Sequence, residues 1–155
     1  MKYLFLLVCA MFFIACGPTY IYEREIAVTG PGWTYPDSLV YEFELTDTAA
    51  VYNLFLDITH SPEYAYQNLY TRLLTDFPNG RRLEQVLSLE LADKTGTWNG
   101  DCGSSSCTVR IPLQEKAYFA LTGPYRITVH QHMRKESLPG VQALGLAIER
   151  TELTR

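Results

Sequence analysis

From residue 39 onwards, apolar and polar side chains alternate with a period of two residues, and this pattern limits the possible folds most strongly. In residues 39–46, the odd-numbered positions are Leu, Tyr, Phe and Leu, whereas charged or polar side chains occupy most even-numbered positions. Successive side chains of a β-strand point to opposite faces of the sheet, so the alternation is typical of a strand with one buried face. The same alternation recurs in residues 52–59, 83–91, 109–113, 125–130 and 144–148.

Three further segments are weaker strand candidates: residues 21–28, 68–74 and 117–121. Residues 63–74 are also the best candidate for a helical turn. Dipeptides such as Asn99-Gly100 separate the segments, as expected for turns. Short antiparallel strands with one apolar face each must bury those faces against one another. We therefore predict an all-β fold, an antiparallel β-sandwich of about eight strands.

The first sixteen residues indicate the cellular compartment. Lys2 precedes an apolar stretch, residues 4–14, that is shorter than the roughly 20 residues of a membrane-spanning helix but suits a secretory signal. Ala15 then stands directly before Cys16, as in the lipobox of bacterial lipoproteins, so we predict lipidation of Cys16. An ordinary cleaved signal with an incidental cysteine is the alternative. The predicted divisions are a signal peptide (1–15), a lipidated cysteine with tether and first edge strand (16–36) and the sandwich domain (37–155).

Two of the four cysteines, Cys102 and Cys107, lie outside the signal and the predicted lipid site. An export signal implies an oxidising compartment, where a close pair in a flexible loop is expected to form a disulfide. A zinc site would need further Cys or His ligands at suitable spacing, and catalytic thiol exchange favours a two-residue gap. Free thiols are the remaining alternative.

Charge and composition limit the partners. Thirteen basic residues stand against seventeen acidic ones, for a net charge of −4, so we do not expect nucleic acid as a partner. The hydrophobic fraction of 47% is that of a folded domain and too high for a disordered chain.

Sequence signatures of catalysis are missing, including the nucleophile elbow, the P-loop and the HExxH motif. His130 and His132 would point the same way on a strand and could offer two imidazoles to a metal. Arg126 and Arg134 would share that face, so we interpret it as solvated. His60 is expected to be half-buried and hydrogen-bonded. We predict no enzyme activity, no catalytic residue, no metal and no cofactor.

Aromatic residues in loops, together with an aromatic and polar cluster that follows His60, are the candidates for partner contact. Such side chains bind proteins, stack on sugars or close the ends of a sandwich core. The candidate contact residues are Trp33, His60, Tyr64, Tyr66, Asn68, Tyr70 and Trp98. A carbohydrate-binding module is the alternative function, and a metal-dependent enzyme using His60, His130 and His132 is a third hypothesis.

Several short motifs, taken in order along the chain, resemble the gliding motility lipoprotein GldH family of Bacteroidetes. They are residues 52–60, 64–70, 91–93 with Gly96, Trp98 and Gly100, then 123–125, 132–134, 138–141 and 144–149. The resemblance implies an outer-membrane lipoprotein that faces the periplasm and contacts proteins of the gliding and type IX secretion machinery. It implies no catalytic residues. The loop between Cys102 and Cys107 departs from the family pattern.

Overall fold

The computed structural model describes residues 17–155, and over that range the fold is an all-β antiparallel sandwich. That part of the chain contains no helix long and apolar enough to span a bilayer. Its eleven strands are β1 (Thr19–Ala27), β2 (Trp33–Thr34), β3 (Ser38–Leu45), β4 (Ala50–His60), β5 (Asn68–Asp76), β6 (Arg82–Glu90), β7 (Asp101–Cys102), β8 (Cys107–Ala117), β9 (Gly123–Gln131), β10 (Ser137–Leu138) and β11 (Val141–Thr154).

The strands form two layers and one small pair. The first sheet has the order β1-β11-β4-β8-β7, and the second has the order β3-β9-β5-β6. Neighbouring strands in both sheets are antiparallel. The two-residue strands β2 and β10 pair with each other, so that Trp33 lies opposite Leu138.

The hydrophobic core lies between the two sheets, where their apolar faces meet. In β4 the burial of the side chains alternates along the strand: Leu54, Leu56 and Ile58 are buried, and the residues between them are half-buried. From the second sheet, the buried side chain of Tyr41 reaches across the core and donates its hydroxyl to the Leu144 carbonyl oxygen at 2.7 Å. Burial raises the pKa of Tyr41, so this hydroxyl remains a donor.

The six alternating segments and two of the three weaker candidates, 21–28 and 68–74, correctly predicted the eight long strands, but two other weak predictions were wrong. The segment 117–121 is not a strand, because β8 ends at Ala117 and Phe119 turns back to pack edge-on against the rings of Tyr52 and Tyr125. The helical turn over 63–74 does not form, because β5 lies between β6 and β9 and its backbone pairs with both. The strands β2, β7 and β10 are too short for a periodic signal.

The strand β1 lies at an edge of the first sheet, within the predicted 16–36 segment. It begins at Thr19, so Gly17 and Pro18 are the described residues before it. Thr19 lies opposite Arg150, and Arg150 lies opposite Tyr52. We call this end of the sandwich the Thr19 end.

At the opposite end, β4 finishes at His60, β5 begins at Asn68 and β9 finishes at Gln131. We call it the Tyr70 end, after the exposed tyrosine near the start of β5. Each end of the sandwich consists of loops that connect its antiparallel strands.

Candidate functional site

An open groove lies at the Tyr70 end, where it brings exposed aromatic, aliphatic and basic side chains together. It has a volume of about 860 Å³. Its lining residues are Tyr35, Tyr66, Tyr70, Val86, His132, Met133, Arg134 and Lys135.

The turn after β9 shapes this groove. The buried side chain of Gln131 donates to the Lys135 carbonyl at 2.8 Å and accepts the Met133 N–H at 2.9 Å. The His132 N–H donates to the Tyr70 carbonyl at 2.8 Å, and the Tyr70 N–H lies 3.3 Å from the Met133 sulfur. These contacts hold the turn against β5, with the Met133 side chain beside Tyr70.

Two more strand regions complete the walls of the groove. Tyr35 follows β2, and its hydroxyl donates to the Met133 carbonyl at 2.5 Å. Val86 comes from β6, an edge strand of the second sheet. Tyr35, Tyr70 and Val86 expose 46%, 43% and 51% of their surface, so three large apolar side chains in one groove face solvent. Exposed apolar surface gathered in this way is typical of a binding site.

The charges of the groove are positive. Arg134 and Lys135 are exposed and line it together with His132, and none of the described lining residues carries a carboxylate. Tyr and Arg are enriched at protein interfaces, because they combine a large contact area with hydrogen-bonding groups. The groove therefore suits a partner segment that combines apolar or aromatic side chains with acidic ones.

The predicted contact residues divide into a buried and an accessible group. Trp33, His60 and Tyr64 are buried, so in this structure they belong to the core and not to a contact surface. The residues that retain exposed area are Tyr66, Asn68, Tyr70 and Trp98. Of these, Tyr66 and Tyr70 line the groove.

Two of the buried residues, His60 and Tyr64, form an aromatic cluster with the half-buried Trp98 that closes the core at the Tyr70 end. The His60 ring centroid lies 4.5 Å from that of Trp98 and 5.8 Å from that of Tyr64. The Trp98 indole N–H donates to the Pro62 carbonyl at 3.1 Å, which ties the loop after β6 to the loop after β4. Burial raises the pKa of Tyr64, in keeping with this position. The carbohydrate hypothesis loses Trp33 and Tyr64 as stacking platforms, because their rings are covered.

The histidines do not form the site that the metal-dependent enzyme hypothesis requires. His60 is fully buried on β4, where its Nδ1 atom lies 2.9 Å from the Ser61 carbonyl oxygen. His130 is on β9 in the other sheet, and burial, followed by the charge of Arg72, lowers its pKa. Within residues 17–155, no three His, Cys, Asp or Glu side chains are placed so that they could hold a metal ion.

Five lining residues were not predicted as part of any site: Tyr35, Val86, Met133, Arg134 and Lys135. They come from three separated segments. The pairing of β5 with β9 on one side and β6 on the other, together with the pairing of β2 with β10, brings these segments together. A local signal did exist in residues 132–135, where three basic side chains and a methionine follow a predicted strand.

Cys102 and Cys107 form a disulfide, with their sulfur atoms 2.06 Å apart. They are opposite each other in the β7–β8 pairing, so the bond closes that hairpin. The predicted signal peptide and lipidated Cys16 lie outside the described residues.

Comparisons with known proteins indicate one family. The model of the GldH lipoprotein family matches residues 20–148. The chain is 26% identical to the gliding motility lipoprotein GldH homolog of Christiangramia forsetii, with 90% of both chains covered. It is 24% identical to the gliding motility lipoprotein GldH of Flavobacterium johnsoniae, over 90% of this chain and 86% of that protein. A solved family GH115 4-O-methyl-α-glucuronidase aligns with 88% of this chain at 11% identity and a TM-score of 0.46, and the aligned part is 18% of the glucuronidase chain.

Proposed function

This chain belongs to the GldH lipoprotein family, and on that premise we propose that it works without catalysis, as a lipid-anchored protein whose groove binds a protein of the gliding or type IX secretion machinery. The anchor is a lipid on Cys16, in the outer membrane and on its periplasmic face. The lipobox sequence at Ala15-Cys16 and the gliding motility lipoproteins among its relatives support this assignment.

The observation that carries the contact role is the groove at the Tyr70 end. Its exposed side chains, Tyr35, Tyr70 and Val86, gain from being covered, because removing apolar surface from water is favourable. Hydrogen bonds on both sides of Met133 hold the groove in shape, so binding costs little ordering of the chain. An anchor also raises the local concentration of nearby envelope proteins, so a modest contact is sufficient.

A photo-crosslinking residue at position 70 of the full-length protein tests this proposal in living cells. We expect a covalent adduct with another envelope protein from position 70 and none from position 118, which lies at the Thr19 end. Arg134→Glu with Lys135→Glu should abolish the adduct and reduce colony spreading, because the reversed charges repel an acidic partner segment.

The matched control reverses two exposed charges elsewhere, Arg24→Glu with Lys94→Glu, and should keep both the adduct and the spreading. An adduct from position 70 that survives the Arg134 and Lys135 reversal would refute the proposed role of the groove. So would the absence of any adduct from position 70 in cells that spread normally.

A further inference from the structure

The short link between Cys16 and the first strand limits how far the domain can stand from a membrane. Only Gly17 and Pro18 separate Cys16 from β1, which begins at Thr19. Three Cα–Cα steps span at most about 11 Å. The segment 16–36 was predicted to hold a tether and the first edge strand, and β1 occupies Thr19–Ala27 of that segment.

We propose that the Thr19 end of the sandwich lies on the lipid surface, with its loops in the headgroup region. The inference rests on the lipid anchor at Cys16 proposed above, and it adds which face of the protein the bilayer contacts. Thr19 is opposite Arg150, and the loops that share this end are residues 46–49, 77–81 and 118–122, together with the end of β11.

The side chains at the Thr19 end suit a lipid interface. Tyr118 and Leu153 expose 56% and 52% of their surface. The Arg155 guanidinium lies 5.8 Å from the centre of the Tyr118 ring. Tyr and Arg side chains are favoured at membrane–water interfaces, because the apolar part enters the boundary region while the polar end remains hydrated.

A second cation–aromatic pair lies on the β5–β6 turn. There the Arg81 guanidinium is 4.7 Å from the centre of the Phe77 ring. Two carboxylates at the same end are ion-paired, since Asp76 binds Arg82 and Asp47 binds Arg150 at 2.7 Å. In these pairs the arginines offset the negative charge of the two carboxylates, which anionic lipids would otherwise repel.

This orientation places the groove away from the membrane. An antiparallel strand rises about 3.4 Å per residue, so β4, with eleven residues, spans roughly 35 Å between the two ends. A groove at that height is open to proteins of the periplasm or of neighbouring complexes. The two ends thus have different ligands: lipid at the Thr19 end and protein at the Tyr70 end.

Quenching by brominated lipids tests the orientation of the full lipidated protein. The protein is reconstituted into vesicles of phosphatidylethanolamine and phosphatidylglycerol, with and without bromine on the acyl chains. The natural tryptophans, Trp33 and Trp98, follow β1 and β6 at the Tyr70 end and supply a constant background. We expect Tyr118→Trp to add emission that the brominated vesicles quench, whereas the emission added by the matched variant Tyr70→Trp stays unquenched.

Two further measurements separate the anchor from the orientation. A long Gly-Ser spacer inserted between Pro18 and Thr19 should keep the protein on floating vesicles but abolish the quenching of Tyr118→Trp, because the domain can then leave the surface. If the wild-type protein does not float with the vesicles, the anchor fails and this inference fails with it. If it floats, but Tyr118→Trp is quenched no more than Tyr70→Trp, the anchor stands and the proposed orientation is overturned.

Discussion

The hydroxyl of Tyr41 joins the two sheets, and Tyr41→Phe removes that bond with little change in shape. The hydroxyl is buried and donates to the Leu144 carbonyl at 2.7 Å. Because β11 is an interior strand and a carbonyl oxygen has two lone pairs, the sheet ladder can still satisfy this carbonyl in the variant. The expected loss in the free energy of unfolding is therefore that of one buried neutral hydrogen bond, about 1 kcal/mol.

Urea unfolding followed by tryptophan fluorescence measures this loss, since Trp33 is buried and Trp98 half-buried. For a slope of about 2 kcal/mol per molar urea, the midpoint should fall by about 0.5 M with the slope unchanged. Tyr118→Phe is the matched control and should leave the midpoint in place, because that side chain is mainly exposed. Equal midpoints for Tyr41→Phe, Tyr118→Phe and the wild type would refute the reasoning.

Three further predictions concern stability. Arg110 binds the Asp57 carboxylate through two nitrogens at 2.7 and 2.6 Å, and Arg110→Lys loses this paired geometry. In urea titrations at low salt, the variant should have a free energy of unfolding lower by about 1 kcal/mol. At high salt the difference should be smaller, because salt screens the charges. Replacing Cys102 and Cys107 with Ser should lower the free energy of unfolding by about 2 kcal/mol, according to the chain-entropy relation. In thermal unfolding, a reductant should destabilise the wild type by a similar amount and should leave the stability of the variant unchanged. Because burial lowers the pKa of His130 in the folded state, the unfolded chain gains its proton first as the pH falls, so stability should decline as the pH drops through about 6.5. Unfolding of His130→Gln, measured above and below that pH, should show a smaller decline in stability than the wild type. A decline equal to that of the wild type would show that His130 is not its cause.

Much of the fold followed from local patterns. Alternation predicted β3 and β4 because each has one face against the other sheet, and such a strand repeats every two residues. The prediction failed at residues 117–121, because the Phe119 ring leaves the strand pattern to fill the end of the core. The position of the Phe119 ring depends on packing against Tyr52, which is distant in the sequence, and the local alternation of residues does not indicate it.

The candidate site was less predictable than the fold. The motif around Tyr70 indicated a contact region, but sequence reasoning could not separate Tyr70, which is exposed, from Tyr64, which is buried. Both are aromatic residues near a predicted strand, and their difference arises from the rings of His60 and Tyr66 packed beside Tyr64. Exposure is a property of the neighbours of a side chain, and the neighbours of Tyr64 also include the backbone of Gly140, which is far along the chain.

By itself, the sequence determined that the chain is built from strands and resembles one lipoprotein family, because alternation, a lipobox and short motifs are all local. The tertiary structure alone decided which side chains share a surface. Tyr35, Tyr70 and Met133 meet because β9 returns beside β5 and the β2 region closes over its turn. The distance between the groove and Thr19, at the start of the first strand, was decided in the same way, since it depends on which strands are paired and in which direction they run.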